Sequence, residues 1–173
     1  MLLFRPYKEC DAPAIASWIR DEYSFRKWCA DRFDSFPLTP DALNAHYAAA
    51  KDTDNIFPFT AYDENGVAGH LILRFTDDTR KEVRLGFIIV DYDRRGTGLG
   101  KEMVLLAQRY AFEFLGAEKV SLAVFDNNPA AYHCYYAAGF REVPDETDSF
   151  FETMGEKWKR ITMELTRQQY ENR

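Results

Sequence analysis

Arg94-Arg95-Gly96-Thr97-Gly98-Leu99-Gly100-Lys101 separates an apolar run, Leu85 to Val90, from a helix-patterned run that begins near Leu99. The pattern reads as strand, tight Gly-rich turn, helix. Alternating glycines allow positive φ and close backbone approach to a ligand. The first N–H groups of the new helix have no intrahelical partner and point back at the turn. With the helix dipole they make an anion site, and Arg94, Arg95 and Lys101 flank it with positive charge. The stretch therefore reads as a diphosphate cradle. A dinucleotide fingerprint needs a third glycine where Lys101 stands. A P-loop needs a wider glycine spacing, with Ser or Thr after the lysine, where Glu102 stands.

Outward from this turn, the 173 residues fit one domain, 1–173, large enough for a proper core. The 46% hydrophobic and 16% aromatic content argues against disorder. A net charge of -6 opposes general nucleic-acid binding. Cys10, Cys29 and Cys134 follow no metal spacing and form no even set, which points to a reducing, cytoplasmic setting. No signal peptide is expected in Met1 to Tyr7, and no apolar run approaches the roughly 20 residues of a membrane span.

In chain order, Leu2 to Tyr7 reads as a strand. Asp11 is placed to cap a helix with Pro13 in its first turn, and Ile15, Trp18, Ile19 and Tyr23 form its apolar face. Ser24 to Pro37 is irregular and aromatic, either a plug at the core edge or a wall for an acceptor. Thr39-Pro40 starts a second helix, running to about Lys51. Phe57 to Tyr62 and Val67 to Phe75 are strands joined across Asn65-Gly66. Glu82 to Val90 is the fourth strand. Leu99, Met103, Leu106, Tyr110 and Phe114 make a helical stripe that Gly116 ends. Lys119 to Phe125 is a strand, and Asn128-Pro129 opens a helix that ends at Gly139. A strand-like stretch from Phe140 is interrupted by an acidic loop, Pro144 to Asp148. Trp158 to Leu165 is the last strand, and the polar tail from Thr166 is expected to fray. The order β-α-α-β-β-β-α-β-α-β-β, with strands two to four consecutive, predicts a mixed α/β (α+β) sandwich rather than a doubly wound sheet.

Asn128, Ala131 and Tyr135 share one helix face by their spacing. Asn128 has a plain alternative role as an N-cap, and Tyr135 as core packing with its hydroxyl at the surface. Taken together, Arg95-Gly96-Thr97-Gly98-Leu99-Gly100 and Asn128…Ala131…Tyr135…Gly139-Phe140 resemble the GNAT superfamily of acetyl-CoA-dependent N-acetyltransferases. The first stretch matches that family's pyrophosphate loop and the second its downstream cofactor helix. The aromatic acceptor side resembles the branch that contains ribosomal-protein N-terminal acetyltransferases. The resemblance implies a mostly antiparallel central sheet flanked by helices, acetyl-CoA as co-substrate and an amine acceptor as partner. Neither nucleic acid nor membrane is a partner in this reading, and a homodimer is the assembly it allows. It also implies site roles. The backbone of Ile88, Ile89 and Val90 would hold the pantetheine arm and polarise the acetyl carbonyl. The amides of Gly96, Thr97, Gly98, Leu99, Gly100 and Lys101, with Arg95, would hold the pyrophosphate. Asn128 would touch the pantetheine, and Tyr135 would act as general acid near the sulfur.

Acetyl transfer to an amine needs a neutral amine, a stabilised oxyanion and a departing thiolate. A phenol near 10 and a thiol near 8.5 make full proton transfer from Tyr135 uphill by roughly 2 kcal/mol, so it is expected to act as a hydrogen-bond donor. The family's two frequent catalytic Glu positions align with Arg84 and Ala123, and neither can be a base. Glu82, two residues before Arg84 on the same strand face, is the candidate to order a water, or else a strand-end charge, in which case the base is solvent or a carboxylate of the Asp21 to Asp34 region. His70 and His133 are further titratable residues, each expected to be structural or exposed. Three functions remain to be separated. They are an acetyl-CoA-dependent N-acetyltransferase for a primary amine, a non-catalytic acyl-CoA-binding sensor on the same scaffold, and a nucleotide-phosphate enzyme, for which no Asp/Glu metal pattern is present.

Overall fold

The computed structural model describes residues 1–144 and 149–173. Its strands are β1 (Leu3–Pro6), β2 (Ile56–Asp63), β3 (Gly66–Phe75), β4 (Glu82–Val90), β5 (Lys119–Phe125), β6 (Arg141–Glu142), β7 (Phe150–Thr153) and β8 (Glu156–Thr166). Its helices are α1 (Ala12–Ser17), α2 (Glu22–Cys29), α3 (Pro40–Ala50), α4 (Leu99–Arg109), α5 (Pro129–Ala137) and α6 (Arg167–Glu171), with a π-helical turn, Tyr110–Phe114, extending α4. One sheet runs β1-β2-β3-β4-β5-β8-β6, with β7 paired to β8. Every pair is antiparallel except β4 with β5. This is the mixed, mostly antiparallel sheet expected.

Each face of the sheet carries its own core, as strand alternation requires. Leu71, Leu73, Phe75, Val83 and Leu85 pack with Met103, Val104, Ala107 and Phe140 on one face. Ile72, between Leu71 and Leu73, joins Ile15, Phe25, Phe33, Leu43 and Tyr47 on the other. Gly69 sets how closely α4 can approach: a Cβ there would stand 2.6 Å from Met103 Sδ.

Several local signals act as the sequence suggests. Thr39 accepts from Ala42 N–H at 3.1 Å and starts α3. Gly66, at φ +104°, turns the β2–β3 hairpin. Gly116 and Gly139 follow α4's π-turn and α5 with φ of +71° and +99°.

Other stretches differ from expectation, each for a tertiary reason. The helical pattern from Ile15 to Tyr23 is two short helices, because the Asp21 carboxylate accepts from Ser24 N–H at 2.7 Å and starts α2 afresh. The first part of the aromatic stretch, Ser24 to Cys29, is therefore helix rather than loop. Asp11 stands at the start of α1 without capping it. Its carboxylate turns inward to the Arg5 guanidinium, both contacts at 2.7 Å, and accepts from Thr60 at 2.7 Å. The β7–β8 hairpin turns on Met154 and Gly155, both at positive φ, as a two-residue hairpin loop needs. Beyond Pro144, the acidic loop lies outside the described residues. The tail forms α6 instead of fraying: Thr166 and Gln169 make a capping box, Arg167 donates to Phe112 O at 2.7 Å and Ala117 O at 2.6 Å, and Tyr170 stacks on Phe112 at 4.6 Å.

His70 is structural, as expected. It is fully buried on β3, with Nε2 2.6 Å from the Tyr47 hydroxyl. Burial pushes its pKa down to about 3. The folded state thus keeps it neutral, while the unfolded chain protonates it near its ordinary value of about 6.5. A depressed folded pKa means stability is present above about pH 6.5 and lost as pH falls towards 3, by up to about 1.4 kcal/mol per pH unit. Half-buried His46 shifts in the same direction. We expect the melting temperature to fall steadily from pH 6.5 to 4.5, and His70→Gln to flatten much of that fall. Differential scanning calorimetry across this range checks both, and an equal slope in the variant would assign the loss elsewhere.

Candidate active site

β4 and β5 are hydrogen-bond partners over only three registers, Glu82 with Lys119, Val83 with Val120 and Arg84 with Ser121. Beyond Arg84 the strands part. β5 stays paired to β8 along its whole length, and β4 stays paired to β3 up to Val90. The gap therefore lies between two firmly held strands. A bulge at Gly86 to Ile88, where β4 carries one extra residue against β3, bends β4 as it leaves β5. Its central residue, Phe87, has φ +50°. The Phe87 ring is clamped by Trp28 at 4.9 Å, His46 at 5.5 Å and Phe33 at 5.7 Å. The aromatic stretch after Tyr23 thus packs on the bulge, with Phe25 and Phe33 buried.

The three candidate strand residues divide by their backbone directions. Asp91 N–H donates to Ala68 O on β3 at 2.9 Å. By antiparallel alternation Ile89, paired with His70, also faces β3, and the N–H and C=O of Val90 face the gap. Ile88 leaves the bulge beside them. Ile88, which has no β3 partner at the bulge, and Val90 are thus the residues of the three whose backbone can meet a ligand in the gap.

The Gly-rich turn stands at the open end of this gap. Gly96 and Gly98 have φ of +78° and +87°, and a Cβ on either would meet nothing within 4 Å. The turn is therefore left-handed and open above. Thr97 Oγ1 donates to Arg94 O at 2.7 Å, closing it locally. Gly98 is the N-cap of α4 without a side-chain cap, and Glu102 N–H, on Gly98 O at 3.1 Å, is already inside the helix. The amides ahead of it, Leu99 to Lys101, are placed for an anion. The Glu102 carboxylate is engaged by Leu2 N–H at 2.9 Å.

The flanking cations are less free than the sequence suggests. Arg94 is ion-paired with Asp63. Arg95 donates to Trp18 O at 3.2 Å and lies 4.6 Å from the Tyr92 ring centre, with Arg20 3.6 Å from the same centre. Lys101 is exposed. Those commitments come from residues remote in sequence, which no local pattern reveals.

On α5, Asn128 accepts from Ala131 N–H at 3.4 Å, so its oxygen caps the helix and its amide nitrogen is left for a ligand. Tyr135 is buried, and burial raises its pKa well above the ordinary phenol value. Its hydroxyl thus stays protonated and is a donor. Glu82 sits at the closed base of the gap. It accepts from Ser121 Oγ at 2.5 Å and is ion-paired with Lys119 Nζ at 3.1 Å. Both oxygens are therefore occupied where the strands are still joined, which runs against the expected water-ordering position. Among the described residues no cluster of three or more His, Cys, Asp or Glu could hold a metal ion, and no helix is long and apolar enough to cross a membrane.

A gap between parallel-paired strands, ending at an open Gly-rich turn and a helix N-terminus, defines an acyl-CoA-binding acetyltransferase fold. Residues 12–140 match the family described as "Acetyltransferase (GNAT) family", and the chain belongs to that family. Acetyl-CoA is its co-substrate and an amine its acceptor. Similar solved structures include spermidine N-acetyltransferase from Vibrio cholerae in complex with CoA and spermine. That chain is 22% identical, with a TM-score of 0.83 over 99% of this chain and 98% of that one. A dodecameric structure of the same enzyme, in an intermediate state, is 21% identical, with a TM-score of 0.77 over 99% and 96%. A chimera built on it reaches 24% identity, with a TM-score of 0.77 over 99% of both chains.

Gly98→Val tests the cradle. At φ +87° any L side chain costs roughly 1–2 kcal/mol, and the added bulk fills the open space above the turn. We expect a lower melting temperature and loss of the rise that saturating coenzyme A gives. Gly66→Val, at φ +104° in the remote hairpin, should cost stability similarly yet keep the coenzyme A rise. Equal coenzyme A shifts in both variants would place the diphosphate elsewhere.

Proposed function

We propose that acetyl-CoA lies in the gap between β4 and β5 and that the chain, acting as one domain over 1–173, acetylates a small primary amine. The carrying observation is the gap itself, open from Arg84 onward and leading to the glycine cradle. The diphosphate meets the amides from Gly96 to Lys101, where a helix N-terminus favours anions. The backbone of Ile88 and Val90 borders the gap, and the Ile88 N–H, nearer the base, donates to the acetyl carbonyl oxygen, where negative charge develops during attack. The amide nitrogen of Asn128 supports the pantetheine. The Tyr135 hydroxyl donates to the departing sulfur. Its raised pKa makes full proton transfer more uphill than in water, so its contribution is a hydrogen bond to the developing thiolate.

Glu82 is assigned to structure in this reading, because Lys119 and Ser121 hold both of its oxygens. Lys119 also holds Glu164 at 2.8 Å. The amine proton then leaves to solvent, and turnover follows the acceptor's own ionisation. Self-association and a cytoplasmic location belong to the same proposal. The dodecameric relative supports the first, and three free cysteines support the second. Light scattering on the purified chain reads the assembly.

Release of free coenzyme A thiol from acetyl-CoA, followed over a panel of primary amines, tests the enzyme reading. Coenzyme A binding without turnover on any amine would favour a non-catalytic acyl-CoA sensor instead. Tyr135→Phe should lower kcat by about 10- to 100-fold, the worth of a hydrogen bond to a charged group, and leave the coenzyme A melting shift in place. An unchanged kcat, with chemistry rate-limiting, would return Tyr135 to packing. Glu82→Gln should lower the melting temperature by loosening Lys119 while changing kcat less than about 10-fold, below the range of general acid–base catalysis. A larger fall, with a changed pH–rate profile, would restore Glu82 to proton transfer.

A further inference from the structure

The sheet face opposite α4 carries an unusual concentration of arginine. Arg74 on β3 and Arg84 on β4 are direct cross-strand partners. Both share the face of Ile72, since each alternates with residues of the α4-side core. On β8, Arg160 alternates with Ile161 and Met163 of that core and so joins the same face, opposite Phe125. Arg32 extends from the segment after α2. Burial, then the charges of Arg74 and Arg160, hold the Arg84 guanidinium below its ordinary pKa, Arg32 acts likewise on both Arg74 and Arg84, and the Glu82 carboxylate opposes the shift in both without reversing it. Like charges directly opposite in a sheet are destabilising, and half-buried charges are costly unless paired.

Among the described residues, none of the four guanidinium groups is within ion-pair distance of a carboxylate. Glu82 and Glu164, which lie on that face, are already held by Lys119. In a chain of net charge -6, three arginines on one face of the sheet, with Arg32 from the segment after α2 and only Glu82 acting against them, are a local reversal of sign. Arg84 is the last β4 residue paired with β5, so it stands where the gap opens. Ile88, at the far side of the bulge, is about 13 Å further along the strand. An arginine side chain and a short aliphatic chain together span that distance.

Resting on the acetyltransferase reading above, we propose that Arg84, with Arg74, Arg160 and Arg32, binds an anionic group on the acceptor, so that the substrate is an amine bearing a carboxylate or phosphate. Guanidinium groups suit both anions, because their donors match two oxygens at once. A polycation such as spermidine, the acceptor in the name of the similar Vibrio cholerae enzyme, would meet repulsion here.

The test compares acceptors of similar length: 4-aminobutyrate, 3-aminopropyl phosphate, butylamine and spermidine. For the wild-type enzyme, kcat/KM for at least one anionic acceptor should exceed that for butylamine by at least about 10-fold, the scale of one charge-assisted hydrogen bond. The two anionic arms tell carboxylate from phosphate. Arg84→Gln should cut the anionic-to-butylamine ratio by at least about 10-fold, and Arg84→Lys should restore part of it. Preference for butylamine or spermidine, or an unchanged ratio in Arg84→Gln, would overturn the proposal. A second readout needs no turnover. With coenzyme A bound, 4-aminobutyrate or 3-aminopropyl phosphate should raise the wild-type melting temperature and not that of Arg84→Gln. If no amine is acetylated but that shift is present, the enzyme reading fails and the anion site stands. If acetylation occurs with neither an anionic preference nor a shift, the anion site fails alone.

Discussion

The separation of β4 from β5 is the constraint on which the rest of the structure depends. A strand that leaves its neighbour exposes backbone donors and acceptors that must find partners. Here the loss is confined to one side of each strand: β3 holds β4, β8 holds β5, and Ile88 and Val90 rather than Ile89 are left unbonded to β3 beside the gap. The bulge at Phe87 supplies the bend, at the cost of a left-handed backbone in a bulky aromatic residue. Trp28, Phe33 and His46 pack around the Phe87 ring and offset that strain. The α2 segment therefore serves the strand geometry first, and any acceptor wall it forms is built on that clamp.

How much of this was legible follows from how local each signal is. The Gly-rich turn, the Thr39 cap and the Asn65-Gly66 hairpin depend on neighbours in sequence, and each could be read directly. The second core motif, Asn128 to Phe140, was legible through its resemblance to a family rather than through its chemistry. What could not be read depends on distant partners. Asp11 has the residue type of a cap, but Arg5 and Thr60 draw its carboxylate inward. The tail from Thr166 is polar, yet Arg167 finds two carbonyls more than forty residues away and orders α6. Glu82 shared a strand face with Arg84 as expected, but its engagement by Lys119 required knowing that β4 and β5 are parallel neighbours.

Charge near the cradle shows the same division. Arg94 and Arg95 look like phosphate ligands in sequence, but their guanidinium groups are engaged by Asp63 and Trp18 O. In the proposed reading the attraction for a diphosphate then comes mainly from backbone amides at the start of α4, with Lys101 as the exposed cation. Such a site depends on glycine geometry rather than on any one side-chain charge. A net charge of -6 is therefore no obstacle to the proposed diphosphate site in a Gly-rich turn of a few residues.

The commitment of Glu82 to Lys119 withdraws the carboxylate that β4 offered as a base, and the arginine face bears on that difficulty. An ammonium group close to like charges is disfavoured in its charged form, so its pKa falls. Four guanidinium groups facing one anionic arm leave net positive potential around the amine end of a bound acceptor. The arm that anchors the substrate and the field that encourages its amine to be neutral then come from the same residues. A carboxylate base at Arg84 would act in the opposite sense, raising the amine pKa while accepting its proton. In this chain the arginine at that position exchanges general-base chemistry for anion recognition and a weaker hold on the amine proton.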